Sequence, residues 1–225
     1  ESEEIAAQRD VALCRLTGSR LHIAHVSTAE VVRMVKRAKK AGIPVTAEVT
    51  PHHLTMDDSM LQDYDSNLKV RPPLRSTDDI KELLDGLKSG VIDCVATDHA
   101  PHNQIDKQVE FDLAPPGMIG LQTAFSHLYT ELVATGKLEL ATLVRALTHG
   151  PARALGLPGG VLMEGAPADL TVIDPEEEWV FDKSSNRSRS TTRGPQRGPG
   201  MRPSVVSISL SRPIRARASS RVPST

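Results

Sequence analysis

An aspartate and two histidines lie close together in the segment TDHAPH, residues 97–102. The apolar run that precedes it, residues 91–96, predicts a buried strand that ends beside Asp98. Enzymes with parallel sheets place carboxylates that transfer protons at the carboxyl ends of their strands. The alternative is that Asp98 only caps the segment after it, as aspartates often do. The motif by itself leaves both interpretations open.

His25 stands at the end of another apolar segment, LHIAHV, which predicts a short strand over 21–26. If the predicted strands are parallel neighbours, their carboxyl ends share one side of the sheet, and His25 and Asp98 meet there. Imidazole and carboxylate are the usual ligands of catalytic zinc, so His25 is predicted to bind a metal. His22 has the opposite strand parity, which predicts that it points away from His25, in packing or behind the metal ligands.

Other residues that could carry chemistry have structural explanations that we favour. His52 and His53 follow the predicted strand 43–50, where metal binding and hydrogen bonding within a loop are both open, with the second favoured. The remaining residues are predicted to cap turns, to pack in helices or to fill the core as free thiols: Asp57, Asp58, His127, His149, Cys14 and Cys94.

The elements around these residues alternate between strand-like and helix-like patterns. Three strands are predicted near residues 21, 44 and 91, and helices are predicted over 2–17, 27–41, 77–88, 120–135 and 138–147. Such βα units form a parallel sheet, although three strands do not close a barrel. Residues 161–181 have short strands with polar turns, which are typical of a small β appendage.

The charge is distributed unevenly along the chain. Residues 184–225 contain nine Arg and no Asp, Glu or Lys, whereas the formal net charge of the whole chain is −1. This tail is rich in Ser, Pro and Gly, and only Val205 to Leu210 is strand-like. One interpretation is an arm that binds RNA or is phosphorylated; the other, which we favour, is a shifted reading frame. Either way, we expect disorder over most of 184–225.

The composition also limits the class of protein. No apolar run approaches the roughly 18 residues of a membrane span, and the acidic first residues do not resemble a signal peptide. We therefore expect a cytoplasmic α/β protein with no membrane partner, and nucleic acid is not an expected ligand.

An ordered set of motifs resembles the second half of a dihydroorotase of the cyclic amidohydrolase superfamily. The resemblance covers about residues 1–183 and rests on HIAHVST, AEVTPHHL, RPPLRS, IDCVATDHAPH, APPGMIGLQTA and ADLTVID. Dihydroorotases are zinc-dependent enzymes that interconvert N-carbamoyl-aspartate and dihydroorotate in pyrimidine biosynthesis. The resemblance implies a (βα)8 TIM-type barrel with a small β domain.

The resemblance also assigns roles to individual residues. His25 becomes a ligand at the end of the sixth barrel strand, for one or two Zn²⁺ ions. Asp98, at the end of the eighth strand, becomes the catalytic acid/base that passes a proton from the metal-bridging hydroxide to the amide nitrogen. His102 is implied to hold the substrate carboxylate, and the backbone of Pro116 and Gly117 is implied to contact the ring.

Two departures from the family pattern affect these expectations. Arg71 occupies a position where many relatives carry a substrate-contacting Asn, so it either pairs with the dianionic substrate or points to solvent. The other metal ligands of the family are expected before Glu1. We therefore expect the chain to be a fragment that is prone to aggregate and has little activity alone.

The implied organisation is part of the barrel over 1–157, part of the β domain over 158–183, and the basic tail over 184–225. Two rival functions stay open: another cyclic amidohydrolase, such as an allantoinase or hydantoinase, and a non-catalytic subunit that scaffolds aspartate carbamoyltransferase. Expected partners are the small-molecule substrate and either aspartate carbamoyltransferase or further copies of the chain in a homo-oligomer.

Overall fold

The computed structural model describes residues 1–179, 181, 187–188 and 204–213. Within them, strands and helices alternate along the chain up to the third strand. The strands are β1 Leu21–Ile23, β2 Val45–Val49, β3 Cys94–Val95, β4 Pro167–Asp174 and β5 Ser204–Pro213. The helices are α1 Ser2–Thr17, α2 Ala29–Lys40, α3 Pro51–Thr55, α4 Thr77–Ser89, α5 Gln104–Lys107, α6 Ala124–Leu128, α7 Leu140–Leu147 and α8 His149–Leu155.

Local sequence signals set the ends of the longer helices. The side chain of Thr28 accepts a hydrogen bond from the amide of Val31 at the start of α2. Ser76 caps α4 in the same way, and Gly90 ends that helix in the left-handed conformation. These caps satisfy amide and carbonyl groups that have no partner within the helix. The predicted helices 27–41 and 77–88 are thus confirmed to within two residues.

The three strands of the main sheet are parallel and lie in the order β1-β2-β3. Leu21 pairs with Val45, and Glu48 pairs with Cys94. The sequence prediction of neighbouring parallel strands is therefore confirmed. Since all three strands run the same way, the segments that follow them leave the sheet on one side.

The central strand β2 separates two environments. Val45, Ala47 and Val49 are buried in the hydrophobic core together with residues of α2 and α4. Thr46 and Glu48 alternate with them and are only partly buried on the other face of the sheet. The helices therefore cover one face, and the polar side chains occupy the other.

Two predicted elements are shorter than the sequence suggested. The predicted strand over 91–96 contains only Cys94–Val95 as β3, although the amides of Asp93 and Ala96 still bond to carbonyls of β2. The predicted helix over 120–135 is confined to α6 and a π-helical turn at Tyr129–Val133. In that turn the amide of Ala134 bonds to the carbonyl of Tyr129, which widens the helix by one residue.

Outside the main sheet, β4 and β5 form an antiparallel pair. The strand β5 includes Val205 to Leu210, the strand-like part of the basic tail. Most of the tail lies outside the described residues, so the disorder and the shifted frame stay predictions, as do the three domain boundaries.

Both outer strands of the main sheet, β1 and β3, have one neighbour each among the described strands. Leu16 of α1 is 81% exposed, and Ile5 is 68% exposed.

No helix in the described part of the chain is long and apolar enough to cross a membrane.

Gly150 allows α8 to approach the start of β3, and we expect Gly150→Ala to destabilise the chain. An added methyl group would lie 2.3 Å from the carbonyl oxygen of Asp93, so α8 must move. The expected loss is about 1–3 kcal/mol in the free energy of unfolding, measured by urea denaturation. Gly18→Ala is the control: Gly18 has a φ of 69° and nothing within 4 Å, so it should cost only about 1 kcal/mol of backbone strain. An equal or smaller loss in Gly150→Ala would contradict the packing argument.

Candidate active site

His25 and Asp98 meet where β1 and β3 end. Nε2 of His25 lies 3.6 Å from Oδ1 of Asp98. Both residues have a left-handed backbone, with φ of 55° and 46°, which is unusual for residues other than glycine. Because a left-handed residue turns the chain sharply, each side chain departs from the alternation of its strand. The predicted meeting of His25 and Asp98 at one end of the sheet is what the structure shows.

Glu48 places its carboxylate between two histidines of the neighbouring strand segment. Its Oε1 lies 2.9 Å from Nδ1 of His25, and its Oε2 lies 3.0 Å from Nε2 of His22. The contact with His22 is a hydrogen bond, whereas the contact with His25 is a close ion pair without hydrogen-bond alignment. Nδ1 of His22 is in turn 2.8 Å from Oγ1 of Thr46.

The prediction that His22 points away from His25 was therefore wrong. His22 and His25 approach the same carboxylate instead of pointing apart, because β1 ends at Ile23 and His25 is left-handed. The other part of the prediction, a position in packing or behind the metal ligands, stays a prediction. Sequence analysis also missed Glu48. The signal was available: an acidic residue that alternates with the apolar Ala47 and Val49 in a predicted strand.

The pKa values of His25 and Asp98 are both raised in this cluster, for different reasons. The Glu48 carboxylate raises the pKa of His25; burial opposes this, and Asp98 adds to it. Burial raises the pKa of Asp98, with His25 opposing and Glu48 reinforcing the shift. A carboxylate with a raised pKa accepts a proton more readily than an ordinary aspartate, which is what a group that transfers protons needs.

His102 lies against the loop that the sequence predicted as its neighbour. Its Nε2 is 3.0 Å from the carbonyl oxygen of Pro116. At Gly117, where φ is 133°, a methyl group would lie 2.6 Å from Cβ of Ala100, so only glycine fits. The structure therefore brings His102, Pro116 and Gly117 together.

Arg71, the remaining predicted substrate contact, has an exposed side chain. Two residues before it, the carbonyl of Lys69 accepts a hydrogen bond from the amide of Gly117 at 2.8 Å. The backbone leading to Arg71 is thereby attached to the Pro116–Gly117 loop. Both interpretations of its side chain stay open.

His53 and His127 have the structural roles that we favoured, whereas Nε2 of His52 is buried without a hydrogen-bond partner among the described residues. His53 bonds to Thr50 Oγ1 and to the carbonyl of Pro72, at 2.7 and 3.1 Å. His127 Nε2 lies 2.8 Å from Oγ1 of Thr55. Burial lowers the pKa of both His53 and His127 to about 4, so both are neutral at pH 7.

The donor set at the strand ends fits part of a metal site. Glu48 occupies the Nδ1 side of His25, which leaves Nε2 directed toward Asp98, as a metal ligand requires. Another group with suitable donor atoms, all within 4.8 Å of one another, consists of His22, Glu48 and Cys94. Burial raises the pKa of the Cys94 thiol to about 12, so this thiol stays protonated and is a poor ligand.

The comparisons with known proteins agree on one family. The model of the amidohydrolase family matches residues 3–194. A dihydroorotase from Pelotomaculum thermopropionicum is 53% identical over 192 residues, which are 84% of this chain and 45% of that protein. One from Caldanaerobacter subterraneus is 48% identical over 189 residues, covering 84% and 44%. The chain thus spans less than half the length of these relatives.

Solved structures of hydantoinases share the fold. The L-hydantoinase from Arthrobacter aurescens is 31% identical with a TM-score of 0.76, over 80% of this chain and 41% of that one. A D-hydantoinase from Bacillus sp. AR9 is 26% identical with a TM-score of 0.82, over 92% and 47%.

Glu48→Gln should lower the pKa of His25, because a neutral amide no longer stabilises the imidazolium. The measurement is an NMR titration of the histidine ring protons of the metal-free chain. Glu82→Gln on the exposed surface of α4 is the matched control and should leave the His25 titration unchanged. A His25 pKa that stays the same in Glu48→Gln would show that Glu48 does not control it.

We also expect stability to fall in mild acid. His53 and His127 have pKa values of about 4 in the folded chain, below the ordinary 6.5. The unfolded chain therefore binds more protons than the folded chain, and the free energy of unfolding falls as the pH falls from 6.5 through 4. Each of the two histidines should lower the free energy of unfolding by about 2 kcal/mol between pH 7 and pH 5, measured by urea unfolding. His127→Gln should lose less over this range, and an unchanged pH dependence in this variant would refute the assignment.

Proposed function

The chain belongs to the amidohydrolase family, and we propose that it is part of a dihydroorotase that interconverts dihydroorotate and N-carbamoyl-aspartate. Its main sheet and helices are part of the (βα)8 barrel of that family. The observation that carries the proposal is the 53% identity to a dihydroorotase over 192 residues. This stretch includes most of the residues that form the strand-end site.

His25 would be one ligand of the metal that the family uses, which we propose to be zinc. Zinc supplies a Lewis acid and an activated water at neutral pH. A catalytic zinc takes three protein ligands, and His25 is the one predicted in this chain, so the others would come from parts of the barrel that this chain does not include. Glu48 would keep the His25 ring in the orientation that presents Nε2.

Asp98 would move the proton of the reaction. In ring opening, it takes a proton from the attacking water and gives it to the leaving amide nitrogen. In ring closure, the same steps run in reverse. Its raised pKa supports this role, because a more basic carboxylate accepts the proton of the attacking water more readily.

The loop groups would bind the substrate. His102 would contact the substrate carboxylate, and the backbone at Pro116 and Gly117 would contact the ring. The side chain of Arg71 would either pair with the second negative charge of the dianionic substrate or remain in solvent. Association with aspartate carbamoyltransferase, or of several copies of the chain, stays a prediction from the resemblance.

A hydantoinase is the second candidate function, because the structural neighbours include an L-hydantoinase at 31% identity. Both enzymes would hydrolyse a cyclic amide beside a metal. They differ in the substrate, since dihydroorotate carries a carboxylate that hydantoin lacks. A site built to bind that carboxylate should discriminate strongly against the neutral ring.

A chimera tests the proposal directly. Residues 1–183 of this chain would replace the matching part of the Pelotomaculum thermopropionicum relative, and the purified chimera would be assayed with dihydroorotate, N-carbamoyl-aspartate, hydantoin and allantoin. We expect zinc-dependent turnover of the first two compounds only. Asp98→Asn in the chimera should lower kcat by roughly 10²- to 10⁴-fold, because the proton transfer is lost.

Asp106→Asn, at an exposed position of α5, is the control and should retain kcat. Faster turnover of hydantoin than of dihydroorotate would favour the second candidate. Full activity of Asp98→Asn would exclude Asp98 as the acid/base.

A further inference from the structure

The loop that follows Asp98 is attached to the segment before Arg71 by an exchange of contacts between Lys107 and Ser66. Nζ of Lys107 donates a hydrogen bond to the carbonyl oxygen of Ser66 at 2.9 Å. The hydroxyl of Ser66 donates in return to the carbonyl oxygen of Lys107. The main-chain carbonyl of each of these two residues, which are distant in sequence, thus accepts a hydrogen bond from the side chain of the other.

Lys69 makes a second attachment a few residues further along the same loop. Its Nζ donates to the carbonyl oxygens of Phe111 and Asp112, at 2.7 and 2.8 Å. The same ammonium lies 5.5 Å from the centre of the Phe111 ring, a cation–π distance. The carbonyl of Lys69 meanwhile accepts the amide of Gly117. We name the pair Lys69 and Lys107, with these carbonyl contacts, the lysine clasp.

The burial of Lys107 requires an explanation. Lys107 is only 4% exposed, and burying an ammonium group costs free energy unless other polar groups replace its water. The pKa of Lys107 is lowered to about 8, mainly by burial and also by the charge of Lys69, with Asp65 opposing the shift. At pH 7 the amine is therefore still largely charged, and its bond to the Ser66 carbonyl is charge-assisted.

Carbonyl groups, not carboxylates, hold both ammonium groups. Within the described residues, neither lysine has a carboxylate oxygen within 4.0 Å of its Nζ. An ammonium group has three donors that can be directed at separate carbonyl groups, which suits carbonyls outside regular helices and strands. The clasp and Ser66 therefore provide donors for the carbonyl of Lys107 at the end of α5 and for the carbonyls of Phe111 and Asp112 after it.

We propose that Lys69 and Lys107 are positioning residues that hold the loop 102–117 in the conformation that binds a ligand. The loop carries His102 at one end and Pro116 with Gly117 at the other, and the clasp fixes the middle of the loop to the segment that leads to Arg71. The identity of that ligand as dihydroorotate rests on the proposed function; the mechanical role of the clasp does not.

Hydrogen–deuterium exchange of the 225-residue chain, followed by mass spectrometry, tests the mechanical role. Lys69→Met and Lys107→Met remove the ammonium groups but keep an unbranched side chain. We expect amides of 108–117 to exchange roughly tenfold faster or more, because opening of the loop no longer breaks charge-assisted bonds. Peptides from α2 and α4 should be unchanged. Lys88→Met, on the exposed side of α4, is the matched control and should change neither region.

Unchanged exchange in 108–117 in both clasp variants would overturn the proposal, and so would an equal increase along the whole chain. Ser66→Ala covers the case in which a lysine variant does not fold, since it removes only a hydroxyl group; it should accelerate the same peptides to a smaller extent. These measurements contain no substrate, so their failure is separate from failure of the assay for dihydroorotase activity.

A kinetic readout in the chimera separates positioning from general stability. Lys69→Met and Lys107→Met should raise KM for dihydroorotate roughly tenfold while kcat changes less, because the strand-end groups His25 and Asp98 are not held by the clasp. A loss confined to kcat, with KM unchanged, would contradict the proposal.

Discussion

The buried carboxylate of Glu48 is the constraint around which the site is arranged. It lies on the central strand of the parallel sheet and approaches histidines that belong to β1 and to the segment after it. A carboxylate that is 14% exposed must have partners, and here both of its oxygens have an imidazole nitrogen at about hydrogen-bond distance. One side chain thereby fixes two rings, and the ring of His25 in turn faces Asp98. Removing Glu48 would release both histidines at once.

The backbone at the strand ends makes this arrangement possible. In a regular strand His22 and His25 would face opposite sides, yet both reach Glu48, because the left-handed residue His25 reverses the alternation. Asp98 has the same conformation at the end of β3. Left-handed backbone is uncommon in a residue with a β-carbon, and here it accompanies the contacts of His25 with Glu48 and Asp98.

The sequence predicts the parts of this fold that depend on local pattern. The helices predicted over 27–41 and 77–88 and the parallel arrangement of the strands follow from spacing and residue type. What it does not predict depends on contacts between distant residues. The importance of Glu48 is clear only when β1 lies beside it, and the π-helical turn after α6 reflects packing that no propensity encodes.

The site therefore depends on two kinds of anchoring with different chemistry. The groups that would handle protons stand at the ends of paired strands and are fixed by a buried carboxylate. The groups that would bind substrate stand on a loop with little regular structure, which two ammonium groups attach through carbonyl oxygens. Strand ends cannot shift without breaking the sheet, whereas a loop fixed by a few hydrogen bonds can open locally at low cost. This division keeps the reacting groups rigid and assigns the adaptable contacts to the part of the chain that must admit and release a ligand.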